Sequence, residues 1–246
     1  MNLGNTNYYD STKGKSYDAG LRAYMLRIYQ YVTIGLLITG FSAYAVFNSP
    51  LSNLVFNIDA YGVVYGFTML GMMLTFCPLF IGLYFFWGFG SMSLEKAKTL
   101  FWVYAATVGV SVASLGFVYT GLSLIKTFFI TASAFGGMSL YGYKTDKDLT
   151  SMGSFLIMGL IGLLITSIVN IFIGSSAIYF ATSFIGVIIF MGLIAWNTQK
   201  IKRVYYSVGG GEFAQKYAIM SAFELYLDFI NLFFYLVRFF GDRRNN

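Results

Sequence analysis

Gly153-Ser-Phe-Leu-Ile-Met-Gly-Leu-Ile-Gly-Leu-Leu-Ile-Thr-Ser-Ile-Val-Asn-Ile-Phe-Ile173 runs for 21 residues without a charged side chain. At about 1.5 Å of rise per residue, a helix of this length crosses roughly 30 Å of hydrocarbon. Similar runs flank it on both sides. Thr99–Gly116 and Ser123–Tyr141 come before it, Ala177–Trp196 and Tyr217–Phe240 after it, and Tyr29–Phe47 and Tyr61–Gly90 lie nearer the N-terminus. The whole chain has the same character: 57% of its 246 residues are hydrophobic, 20% aromatic and 11% charged, with a mean hydropathy of +0.68. A soluble domain carries about 25% charged residues, so there is too little polar surface here to wet a globule. The expected fold is an all-α integral membrane protein, a seven-transmembrane-helix bundle. Residues 1–28 form a polar N-terminal tail, 29–240 the membrane domain and 241–246 a short basic C-terminal tail.

The second run, Tyr61–Gly90, is longer than one crossing needs and contains Pro78. Proline removes a backbone hydrogen bond and clashes with the preceding turn, so the run is one tilted or kinked helix or a hairpin of two short segments. One kinked helix is the favoured reading.

Several function classes are excluded by what is missing. There is no histidine, and Cys77 is the only cysteine. An intramolecular disulfide is therefore impossible, and the usual zinc, haem and Ser/His or Cys/His sites are ruled out. No resident metal, no cofactor and no enzymatic activity are expected. The polar N-terminal stretch lacks the apolar core and cleavage site of a signal peptide. The net charge of +6 is spread in short segments between apolar runs and not gathered in one patch, which argues for membrane topology and against nucleic acid.

Lysine and arginine alternate in a telling way. The N-terminal tail and every second loop after it hold four, two, two and four of them, whereas the intervening loops hold Lys126 alone. By the positive-inside rule the N-terminus is expected in the cytoplasm. Seven crossings then place the C-terminus, with its basic flank Arg238, Arg243 and Arg244, on the far side. That flank would prefer the cytoplasm, so a re-entrant or marginally inserted last helix is the alternative.

Small residues at helical spacing mark expected helix contacts: Ala132 with Gly136 and Ser133 with Gly137 in the fourth span, Gly159 and Gly162 in the fifth. Only the last span carries carboxylates well inside it, in Ser221-Ala-Phe-Glu224-Leu-Tyr-Leu-Asp228-Phe-Ile-Asn231. At 100° per residue, Ser221, Glu224, Asp228 and Asn231 share a sector of roughly 80°, so an otherwise apolar helix carries one polar stripe that should face the bundle interior. An ionisable group in hydrocarbon costs about 2.5–3.5 kcal/mol, which reserves such positions for a pathway or a partner. Desolvation and mutual repulsion disfavour ionising both Glu224 and Asp228, so the pair is expected to titrate as a unit. It is suited to hold a proton or to attract a hard cation such as Ca²⁺. The structural alternative is that the two acids pair with Lys216 or Arg238 and lock the helix. The sixth span ends in Trp196-Asn197-Thr198-Gln199-Lys200, which taken alone reads as the polar end of a helix with snorkelling lysines. Asn170 and Asn231 are candidates for hydrogen bonds between helices.

Five stretches in order carry a family resemblance. They are Ala19-Gly-Leu-Arg-Ala-Tyr24-Met-Leu-Arg27 leading into Ile34-Gly35-Leu36; Ser139-Leu-Tyr-Gly142-Tyr with Asp148-Leu-Thr-Ser-Met-Gly153; Gly159-Leu-Ile-Gly162 with Ile168-Val-Asn170; Asn197-Thr-Gln199-Lys-Ile-Lys202; and Leu225-Tyr-Leu-Asp228-Phe-Ile-Asn231-Leu-Phe. On these the chain resembles the Bax inhibitor family, the transmembrane Bax-inhibitor-motif proteins, in its bacterial branch. The resemblance implies seven helices with the last one central, residence in the bacterial inner membrane, and a pH-sensitive calcium leak in which Ca²⁺ and protons are the partners of the path. It further implies a pH-sensing pair of aspartates, one at the end of the sixth helix and one in the seventh. Asp228 matches the second, and Asn197 stands where the first would be, so the ionisable latch is incomplete here. Glu224 matches an additional acid that some relatives carry. The acid and arginine that some relatives place in the second helix have no counterpart between Tyr61 and Gly90. A second role the resemblance implies is non-channel restraint of a membrane quality-control protease, for which the tail through Lys15 would matter more than the buried stripe.

Overall fold

In the computed structural model, residues 6–59, 64–208 and 211–244 are described, with side chains from residue 19 onward apart from that of residue 212. Among them are seven helices long and apolar enough to cross a membrane. We label these α1 (Thr6–Phe47), α2 (Met69–Gly88), α3 (Leu94–Val112), α4 (Gly121–Lys144), α5 (Thr150–Ile173), α6 (Ser176–Val208) and α7 (Gly211–Phe240). Hydroxyls fix several starts: the Thr68, Ser93 and Thr120 side chains accept from the amides of Gly71, Lys96 and Ser123, satisfying donors a helix leaves open at its first turn.

The last helix occupies the centre. Of its most apolar 18-residue stretch 72% is buried, against 11% for α5, and it packs against α1, α3, α4 and α6. Its core face is aromatic. The Phe223 ring stacks on Phe85 of α2 with centroids 4.3 Å apart and meets the edge of Tyr104 of α3 at 4.8 Å. The fully buried Tyr226 shares a 2.6 Å hydrogen bond with Thr39 of α1, whose hydroxyl also lies 2.9 Å from the Ala105 carbonyl of α3. Thirty residues give α7 a length of about 45 Å. It runs unbroken and is long enough for a full crossing, with Lys216 donating to the Gly90 carbonyl at one end and Arg238 donating to Ser183 at the other.

Three boundaries differ from the sequence reading. The helix of the first span reaches back to Thr6, and Leu21, Tyr24, Met25 and Ile28, placed in the polar tail, are buried in the main core. The long second run is one helix through Pro78, and its front portion folds differently: Val64–Phe67 pairs antiparallel with Phe56–Ile58, Phe56 opposite Phe67, while residues 61–63 lie outside the described ones. Phe56 is buried against Phe117, which anchors this hairpin under the ends of α1 and α3. Finally, α6 continues past Trp196 to Val208.

The glycines that permit close approach are also not the ones the spacing suggested. Gly136, Gly137 and Gly162 have open space where a Cβ would stand, and Gly159 faces only the Ile189 side chain. Tight contacts from α4 and α5 come instead from Gly142, where a Cβ would overlap the Ala195 carbonyl oxygen, and Gly153, where it would overlap the Trp196 ring. Both bring a neighbour onto α6.

Candidate functional site

The two acids of the α7 stripe, Glu224 and Asp228, face α6, and the two helices run antiparallel. One turn along α6 from Asn197 is Lys200; one turn along α7 from Asp228 is Glu224. This register makes two rungs. Asn197 Nδ2 donates to Asp228 Oδ2 at 2.7 Å, with the residues 6% and 5% exposed. Lys200 Nζ donates to both oxygens of Glu224 at 2.8 and 3.0 Å, and its ammonium also lies 5.4 Å from the centroid of the Trp196 ring. Each acid thus has its own partner on α6. Lys200, which the sequence reading left among snorkelling lysines, supplies the cation; Lys216 and Arg238 are engaged elsewhere.

Asn197, Thr198 and Gln199 are buried because the helix carrying them continues into the bundle's core. Gln199 straps the α4–α5 connection, accepting from the Leu149 amide at 2.9 Å and donating to the Lys147 carbonyl at 2.7 Å. In that connection the Thr150 hydroxyl and amide, aided by Arg203, hold the Asp148 carboxyl below the usual carboxylate range. Asn197 Oδ1, Thr198 Oγ1 and Ser139 Oγ are buried without a protein hydrogen-bond partner among the described residues. Tyr29 approaches Ser139 and Thr198 from α1 without completing a hydrogen bond to either. These unpaired buried oxygens make the Asn197–Thr198 stretch of α6, well before the helix ends at Val208, a polar spot inside an apolar bundle.

The remaining candidates fall outside this cluster. Ser221 is buried beside the Tyr24 hydroxyl. Asn231 donates to the Leu227 carbonyl of its own helix at 2.8 Å. Asn170 closes the α5–α6 turn, accepting from the Ser175 amide at 3.0 Å and donating to the Ser175 carbonyl at 3.2 Å, with Gly174 in the left-handed region at φ 68°. Neither asparagine bridges packed helix faces. No three acids or thiols gather as a metal cluster among the described residues. The side chains of the tail through Lys15, on which partner capture would depend, lie outside the described ones.

A central helix with a buried carboxylate clasped by its neighbour, in a bundle of seven apolar helices, defines a polytopic membrane protein with an acid in its interior. Residues 21–245 match the family described as inhibitor of apoptosis-promoting Bax1. The chain belongs to this Bax inhibitor family. It is 54% identical to a protein of Rickettsia prowazekii over 236 residues, 96% of each chain, and 45% identical to one of Caulobacter vibrioides over 93% of this chain and 92% of that one. It is 39% identical to the inner membrane protein YbhL of Escherichia coli, over 92% of this chain and 94% of that one.

Proposed function

We propose that this chain is a pH-sensitive cation leak of the bacterial inner membrane, with Ca²⁺ as the ion carried, and that the α6–α7 clasp sets its closed-to-open equilibrium. The observation that carries the reading is the buried Asn197–Asp228 contact on the central helix. An acid kept in hydrocarbon at a cost of about 2.5–3.5 kcal/mol is retained for use. Glu224 is neutralised by Lys200, so among the described residues Asp228 is the acid of the stripe with no cation bonded to it.

The amide at Asn197 shapes how pH acts. Two carboxylates facing each other repel when both ionise, which splits a latch. An amide holds an acid in either state, donating through Nδ2 to the ionised form and accepting at Oδ1, here buried and unpartnered, from the protonated one. Protonation of Asp228 therefore removes its charge and turns the clasp from donation by Nδ2 to acceptance at Oδ1, and that rearrangement shifts the closed-to-open equilibrium. The distribution of lysines and arginines supports a cytoplasmic N-terminus: the ends joined by the Lys216–Gly90, Arg203–Asp148 and Lys202–Tyr143 contacts form a single basic end.

The test is Ca²⁺ influx into dye-loaded liposomes holding the purified full chain. Flux is expected to vary between about pH 5 and 8 and to fall sharply in Asp228→Ala. Liposomes that pass no cation at any pH in that range would defeat the proposal.

A further inference from the structure

At the end of the bundle away from the lysines, the α5–α6 turn and the C-terminal end of α7 enclose a cleft of about 640 Å³. Two arginines line it, Arg238 and Arg243, although this end carries few other basic residues. Arg238 is positioned by its surroundings. Its guanidinium carbon lies 4.6 Å from the centre of the Tyr179 ring and 5.0 Å from that of Tyr235, and Nη1 donates to Ser183 Oγ at 3.2 Å. The segment bearing Arg243 is fixed to the chain before α4: Tyr119 pairs with Arg243, the Thr120 amide donates to the Asp242 carbonyl at 2.9 Å, and the Arg244 amide donates to the Val118 carbonyl at 3.0 Å. Among the described residues neither guanidinium forms an ion pair.

A third source of positive potential meets them. Ser175 and Ser176, at the start of the 33-residue α6, line the same cleft. Helix N-termini present free amides and the positive end of the macrodipole. The Ser175 hydroxyl caps the Ile178 amide and the Ser175 amide is bonded to Asn170 Oδ1, so what the cleft offers is two guanidiniums with forked donors and the positive end of α6, which are complementary to a compact anion with several oxygens.

We infer that this cleft binds a phosphate group, carried by a lipid headgroup or free in solution, with Arg238 and Arg243 as its ligands. The inference stands apart from the leak reading, since it uses the opposite end of α7. It also supplies a reason for arginines where the charge rule disfavours them: a bound phosphate neutralises that end.

The full chain in neutral detergent would be mixed with short-chain phosphatidylglycerol or phosphatidylcholine and retained lipid counted by native mass spectrometry. Binding of inorganic phosphate would be read by equilibrium dialysis. Arg243→Gln is the key variant, because among the described residues that guanidinium makes no hydrogen bond or ion pair whose loss would unfold the chain. Arg238→Gln/Arg243→Gln and Lys126→Gln, outside the cleft, complete the set. Binding of phosphatidylglycerol is expected to weaken about tenfold in Arg243→Gln, further in the double variant, and not in Lys126→Gln. Retained phosphatidylglycerol without measurable inorganic phosphate assigns the site to a headgroup, and arginine-dependent phosphate binding without lipid preference assigns it to the free anion. Wild-type binding of both probes by Arg243→Gln, or an equal loss in Lys126→Gln, overturns the inference.

Discussion

The two rungs between α6 and α7 are unequal, and the difference lies in their partners. Lys200 is 39% and Glu224 18% exposed at the side chain, so their attraction is partly screened and stabilises by about 1 kcal/mol. Removing only the lysine leaves a half-buried carboxylate without its cation. We expect Lys200→Met to lower the melting temperature in detergent by several degrees, and Lys200→Met/Glu224→Gln to lower it less than the sum of the single changes. Strict additivity in that double-mutant cycle would mean the ion pair is not formed. The stripe itself was legible in the sequence, because Ser221, Glu224, Asp228 and Asn231 recur at helical spacing in an apolar run. Its partners were not. Asn197 was singled out only through the family resemblance, and assigning Lys200 to Glu224 requires the antiparallel register that the folded bundle supplies.

At the scale of elements, glycines and helix ends decide how closely α6 is approached. A methyl group at Gly142 meets a backbone carbonyl, which cannot rotate away, whereas one at Gly137 meets open space. Gly142→Ala is expected to destabilise the bundle by about 1–3 kcal/mol and Gly137→Ala to leave it nearly unchanged, as read from unfolding in mixed detergent. Equal effects would contradict the packing described. Small residues four apart on α4 pointed to the wrong pairs because spacing finds a helix face without telling which face meets protein. The end of α6 was misplaced for a related reason. Asn197-Thr198-Gln199-Lys200 has the composition of a membrane boundary, yet these side chains are buried through contacts to Asp228, Glu224 and the α4–α5 connection. Val64–Phe67 was read as span because its residues are apolar, and only pairing with Phe56–Ile58 shows that it folds as a strand.

For the whole molecule, seven apolar spans follow from composition and run length and were legible there, whereas the central position of α7 was expected only from the family resemblance and is shown by its burial in the bundle. The charge asymmetry predicts the orientation: reporters fused at the two termini should signal from opposite sides of the membrane, the N-terminal one from the cytoplasm. Signals from the same side would be incompatible with a through-running α7. In this arrangement the helix that carries Asp228 touches most of the others, so a change at the clasp acts on the entire bundle. The most direct test of that claim compares Ca²⁺ flux against pH in liposomes for the wild type, Asp228→Asn, and the exchange variant Asn197→Asp/Asp228→Asn, which moves the carboxylate across the same hydrogen bond. The account predicts a flat pH profile for Asp228→Asn and recovered pH dependence for the exchange; a profile in Asp228→Asn that follows the wild type would contradict it.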